Sequence, residues 1–144
     1  MKSSGIGTRR VLAHVVAVSV MAISADNGFS QQRSRIDVPV MVGAEPDYDA
    51  CPSTGTVMGL DPQGDGFLSV RSGPGGRAYR EIDRVFNGQH VFICHQEGPW
   101  LAVVYATQRD LDCNVSGAWP SRMPYTGPCS YGWIHTRYVG NLAG

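Results

Sequence analysis

Three stretches of this chain alternate apolar and polar residues and are closed off by Gly, Pro or Asn: FLSVRSGPGG at 67–76, NGQHVFICHQEGPWLAVVY at 87–105 and YGWIHTRYV at 131–139. A period of two over five to seven positions is the signature of short strands with one face buried and one face wet. Strands this short, broken this often, bend into a small sheet that closes on itself. Such a cylinder is filled by its own side chains, so any chemistry must sit on its loops. The spacing predicts strands over Gly55 to Leu60, Phe67 to Arg71, His90 to His95, Trp100 to Tyr105 and Gly132 to His135. Between them, Tyr79, Ile82, Val85 and Phe86 fall at helix-like intervals, which predicts a helical turn within Arg77 to Phe86. Asn87-Gly88 and Gly98-Pro99 mark tight turns, and a long loop, 106–130, precedes the last strand.

The first 30 residues are expected to be removed. Lys2, Arg9 and Arg10 precede the apolar run Val11 to Ile23, and two exits with small residues follow, near Ala25 or Ser30. This is the pattern of a secretory signal peptide, too short to serve as a membrane span. Residues 31–50 lack a sustained period and carry Pro39 and Pro46, so they are expected to form a flexible lead-in. Within them VPVMV at 38–42 offers an alternative as an extra edge strand. The compact domain is expected over 51–144.

Once residues 1–30 are gone, nine Lys+Arg and eleven Asp+Glu remain, a net charge of −2 with no Lys at all. A chain so charged lacks the positive field that nucleic acid binding relies on, and an anionic membrane surface is disfavoured for the same reason. The four Cys, Cys51, Cys94, Cys113 and Cys129, form an even set in a small exported domain and are expected as two disulfides. Three pairings are possible. Cys113 with Cys129 is favoured because the pair brackets a segment too rich in Pro and Gly to hold its own shape; Cys51 with Cys94 then ties the start of the domain to a central strand. No metal is expected, because the only neighbouring ligand pair is Cys94-His95, whose side chains leave a regular strand on opposite faces.

The order GTVMGL, FLSVRSGPG, NGQHV, GPWLAVVY and YGWIHTRYV resembles a bacterial Src-homology-3-type (SH3) domain over about residues 54–140. The pieces L-x-V-R-x-G-P, N-G-x-x-V and the terminal G-W-I-x-x-x-Y-V carry the resemblance. It implies an all-β fold, a small five-stranded SH3-like barrel, and a binding module rather than an enzyme. Two departures stand out. The 106–130 loop is much longer than the usual connection, and DPQGDGFLSV replaces the acidic-aromatic run that grips polyproline in eukaryotic members, so a polyproline ligand is not expected.

No catalytic residues, metal ligands or cofactor emerge from the motifs. DPQGDG at 61–66 starts like a calcium loop, but Ser72 stands where a bidentate Glu is required. SGPGG at 72–76 lacks the Lys and the following helix of a phosphate cradle. His90, Cys94, His95 and His135 show no nucleophile-base-orienter arrangement. Aromatic residues beside turns are the remaining candidates, since they present rigid area with a polar tip. Trp100 and Trp133 are read as core; Asp65, Tyr79, Trp119 and Tyr125 are read as ligand contacts in a groove between the 61–66, 72–80 and 117–131 loops. The resemblance points to a peptidoglycan peptide or an envelope protein as the partner, and the leader and cysteines to the periplasm or the extracellular space. The alternatives are a protein-facing inhibitor or accessory subunit that uses the 113–129 loop as a rigid plug and, less favoured, a cell-wall hydrolase.

Overall fold

A computed structural model describes residues 36–43 and 46–143, the side chains of 141–143 excepted. The expected signal peptide and the first part of the lead-in lie outside the described residues. The described residues are all-β: β1 (Met41–Val42), β2 (Ser53–Val57), β3 (Leu68–Arg71), β4 (Glu81–Val85), β5 (His90–Glu97), β6 (Trp100–Tyr105), β7 (Met123–Pro124), β8 (Ser130–His135), a 3-10 turn at Thr136–Tyr138, and β9 (Val139–Ala143). Seven strands form one antiparallel sheet in the order β4-β3-β8-β6-β5-β2-β9, and β1 and β7 pair as a separate ribbon. The sheet is open, with β4 and β9 as its edges, which corrects the expected closed five-stranded barrel. Among the described residues no helix is long and apolar enough to cross a membrane.

The expected helical turn within 77–86 is also corrected. Residues 81–85 are a strand, and the physical reason is a bulge. Val70 pairs with Asp83 and Arg71 with Glu81, so Ile82 is an extra residue on β4. An inserted residue converts a period of two into an apolar spacing of three, which imitates a helix in the sequence. With Ile82 skipped, both Ile82 and Val85 reach the inner core.

A second bulge has the larger consequence. On β5, Ile93 pairs with Val103 and His95 with Ala102, leaving Cys94 as the extra residue. Cys94 and His95, expected on opposite faces, are therefore both turned to the outer side. Cys94 bonds Cys51 there. His95 meets the ring of Trp133 edge-on at 5.0 Å and has Nδ1 3.3 Å from the Met41 carbonyl oxygen.

Both faces of the central strands are dry. The inner face gathers Leu68, Val70, Leu101, Val103, Tyr105 and Ile134. The outer face gathers Ala102, Val104, Tyr131 and Trp133. It is covered by a second layer made of residues 36–43, 46–51 and the 106–130 loop, through Val40, Val42, Cys51, Cys113, Val115, Tyr125 and Cys129. The one-wet-face expectation is thus wrong for β6 and β8. So is the flexible lead-in, for 36–43: Val40 and Val42 are fully buried and the segment is anchored along its length. Asp37 and Val38 N–H groups both donate to the Ser72 carbonyl oxygen (2.8 and 2.9 Å), Tyr125 N–H donates to Val40 (2.8 Å), and Gly43 N–H donates to Ala50 (2.8 Å). The Asp37 carboxylate accepts from Ser72 Oγ at 2.5 Å and from Arg80 Nη1 at 3.0 Å. These bonds, led by the one from Ser72, hold the Asp37 carboxyl below its ordinary range. Gly43 has φ +71°, and a Cβ there would stand 2.8 Å from the Ser121 carbonyl oxygen, so the close approach of strap to loop requires glycine.

Trp133 joins the layers. Its ring is fully buried and Nε1 donates to the Val38 carbonyl oxygen at 2.9 Å. The two disulfides, Cys51–Cys94 and Cys113–Cys129, both lie in this outer layer, and each closure contributes roughly 2–4 kcal/mol by restricting the unfolded chain. On the inner side, Tyr105 crosses under the sheet and donates its hydroxyl to Asp83 Oδ2 at 2.7 Å. Burial, then this bond, drives its phenol pKa well upward, so it stays protonated.

Two outcomes follow from the layer contact. Trp133→Phe keeps an aromatic ring but leaves the Val38 carbonyl without its donor and a gap beside it, and is expected to lower stability by about 2–3 kcal/mol in urea unfolding with little change in m. His95 is held below its ordinary pKa of 6.5, chiefly by burial, with Arg122 acting the same way and Met41 O and Glu97 opposing. The unfolded chain therefore takes up a proton before the folded one does. Stability should be intact above pH 6.5 and fall as pH drops from 6.5 toward the lower folded pKa. His95→Gln should flatten the stability profile in that window while leaving the steeper loss at lower pH, where Asp37 and Glu81 protonate.

Candidate functional site

The second layer stops short of one end of the outer face. β6 and β8 pair Ala102 with Trp133 and then Trp100 with His135. Side chains two apart share a face, so Trp100 and His135 continue the covered row into the open. Arg71 pairs with Trp133 from β3 and belongs to the same face, as does Ser69. The loop that joins β2 to β3 rises beside this end. Together they line a groove of about 410 Å³, with Gly59 to Asp61 and Asp65 to Leu68 from the loop side and Ser69, Arg71, Trp100, His135 and Tyr138 from the sheet and the 3-10 turn.

Local chemistry fixes each wall. The loop is pinned at its base by a two-way amide clamp, Leu60 N–H to Asn87 Oδ1 (3.1 Å) and Asn87 Nδ2 to Leu60 O (2.9 Å). Its tip is an Asx turn in which Asp61 Oδ1 accepts from Gln63 N–H at 2.8 Å. Asp61 and Asp65 are exposed on this rim. Phe67 follows, half-buried, with the Arg84 guanidinium 3.9 Å above its ring. Arg84 Nε also donates to Glu81 Oε1 (2.6 Å), while Ser69 Oγ donates to Glu81 Oε2 (2.5 Å). The Ser69 bond first, and Arg84 next, keep the Glu81 carboxyl ionised below its usual range.

The opposite wall is aromatic. Trp100 is half-buried and meets His135 edge-on at 5.2 Å. His135 caps the 3-10 turn, its Nδ1 accepting from Arg137 N–H at 3.1 Å. The turn presents Tyr138, whose carbonyl oxygen accepts from Met58 N–H at 2.9 Å. Arg71 Nη1 donates to the Tyr79 carbonyl oxygen at 2.9 Å.

Of the four residues expected to contact a ligand, the groove contains Asp65 alone. Tyr79 lies with its ring against the SGPGG turn, so close that a Cβ on Gly73 would stand 2.4 Å from it. Trp119 is half-buried, stacks on Tyr125 at 6.4 Å, and spends Nε1 on the Asn114 carbonyl oxygen at 2.7 Å. Tyr125 is 2% exposed, donates its hydroxyl to Cys113 O (2.9 Å) and accepts from Cys129 N–H (3.1 Å). These two aromatics therefore fold the 113–129 loop onto the sheet. Trp100, expected in the core, lines the groove instead; Trp133 is core as expected. The signals for the missed residues were present. Trp100 starts its strand directly after Gly98-Pro99, and His135 and Tyr138 close the terminal YGWIHTRYV run.

The groove thus has the carboxylates of Asp61 and Asp65 on its loop side and the rings of Trp100 and Tyr138, with His135 and Arg71, on the other. No family model, no curated protein and no solved structure matches the chain.

Proposed function

We propose that the chain is an exported, non-catalytic SH3-like recognition module whose groove beside Trp100 holds an amine-bearing peptide of the cell envelope, with the peptidoglycan stem peptide as the first candidate. The observation that carries this reading is the placement of Asp61 and Asp65 across an open groove from Trp100 and Tyr138. An ammonium group between such carboxylates gains charge-assisted hydrogen bonds, and the alkyl stem behind it covers aromatic rings. The net charge of −2 after loss of the leader favours a cationic group over a phosphate. Two disulfides support an oxidising destination, the periplasm or the extracellular space. The inward packing of Trp119 and Tyr125 favours the groove over the 113–129 loop as the contact surface.

Co-sedimentation of the purified protein with insoluble sacculi tests the reading. Wild-type protein is expected in the pellet. Trp100→Ala and Asp65→Asn should each weaken retention, the former by at least about tenfold as an aromatic anchor, while Trp119→Ala should retain sacculi like wild type if folded. Absence of the wild-type protein from the pellet, or retention indifferent to Trp100 and Asp65, contradicts it.

A further inference from the structure

We infer that Arg71 and His135 form a carboxylate-receiving corner of the groove, so that the ligand is a peptide carrying a free carboxylate as well as a free amine. This rests on the groove being the peptide site proposed above, and it adds which chemical group the far end of that site selects.

The argument begins with a tautomer. A backbone N–H can only donate, so the Arg137 N–H held 3.1 Å from His135 Nδ1 requires that nitrogen to be the acceptor. The ring proton of neutral His135 is therefore on Nε2, and the side chain that lines the groove presents a donor. Trp100 packs edge-on against the same ring and restricts its rotation. Arg71 is the second member. It pairs with Trp133 across β3 and β8, and His135 lies two residues beyond Trp133, so the guanidinium and the imidazole leave the same face of the sheet.

Arg71 is partly buried, and its bond to the Tyr79 carbonyl oxygen fixes the planar head while using one of five N–H donors. Such a fork matches the two oxygens of a carboxylate. The acidic group nearest in register, Glu81, is attracted by the Arg71 charge but accepts from Ser69 on one oxygen and from Arg84 on the other, and it is not among the residues that line the groove. The carboxylates that do line it, Asp61 and Asp65, belong to the loop rim. The groove is thus polarised: acids on the loop, cation and donors on the sheet.

Calorimetric titration of the purified protein with a synthetic tetrapeptide, L-Ala-γ-D-Glu-L-Lys-D-Ala, and with the same peptide carrying both carboxylates as carboxamides, tests this directly. Wild-type protein is expected to bind the free acid about tenfold to a hundredfold more tightly than the carboxamide. His135→Leu should lose much of that ratio, and His135→Gln, whose terminal N–H occupies nearly the place of Nε2–H, should keep most of it. Arg71→Gln should also lower the ratio; being a ratio of two ligands on one protein, it does not move through a general loss of stability. Equal binding of acid and carboxamide by the wild type, or a ratio untouched by both His135→Leu and Arg71→Gln, overturns the carboxylate corner while the peptide site stands. Binding of neither peptide overturns both.

Discussion

The fully buried indole of Trp133, bonded to the Val38 carbonyl oxygen, sits where two layers meet, and the rest of the structure is arranged around that junction. A small antiparallel sheet can leave one face in water. Here the central strands cannot, because Ala102, Val104, Tyr131 and Trp133 place an apolar row on the outer side while Leu101, Val103, Tyr105 and Ile134 fill the inner side. The outer row needs a cover, and the strap 36–43 with the 106–130 loop supplies it. The loop has few apolar residues for its length, and neither segment has much regular pairing beyond the two-residue ribbon of β1 and β7. Both disulfides, the Asp37 contacts with Ser72 and Arg80, and the hydroxyl of Tyr125 are spent on keeping them in place.

Much of this could be read in the residues, and the exceptions have physical causes. The alternation of Leu68 and Val70 gave β3, and the Pro- and Gly-rich bracket around 113–129 pointed to its disulfide. The run LAVVY at 101–105 already departs from alternation, and all five of its residues are buried; that departure was the available sign of a second layer. Ile82 and Cys94 misled for one shared reason: each is the extra residue of a bulge, and a bulge shifts the parity on which strand reading depends. The strap was obscured by Pro39 and Gly43, which shorten β1 to two residues although Val40 and Val42 are as buried as any in the core.

The same constraint explains why the groove falls where it does. The cover ends before the last outer row, so Trp100 and His135 remain accessible, and the anchored β2–β3 loop stands over them. Aromatics chosen from the sequence by their position next to turns included two that seal the cover, Trp119 and Tyr125, because a loop that must hold a sheet face dry needs large side chains as much as a loop that meets a ligand does. What distinguishes them is the destination of their polar tips: Trp119 Nε1 and Tyr125 hydroxyl both end on backbone within the loop.

Hydrogen–deuterium exchange of the purified protein, followed peptide by peptide under native conditions, tests the two-layer account most directly. The amides of Asp37, Val38, Ala50, Cys51 and Tyr125, which donate within or across the cover, are expected to exchange only with the global opening that releases β6 and β8. Rapid exchange of these amides while β6 and β8 stay protected would show the cover opening independently of the sheet, and would contradict the account.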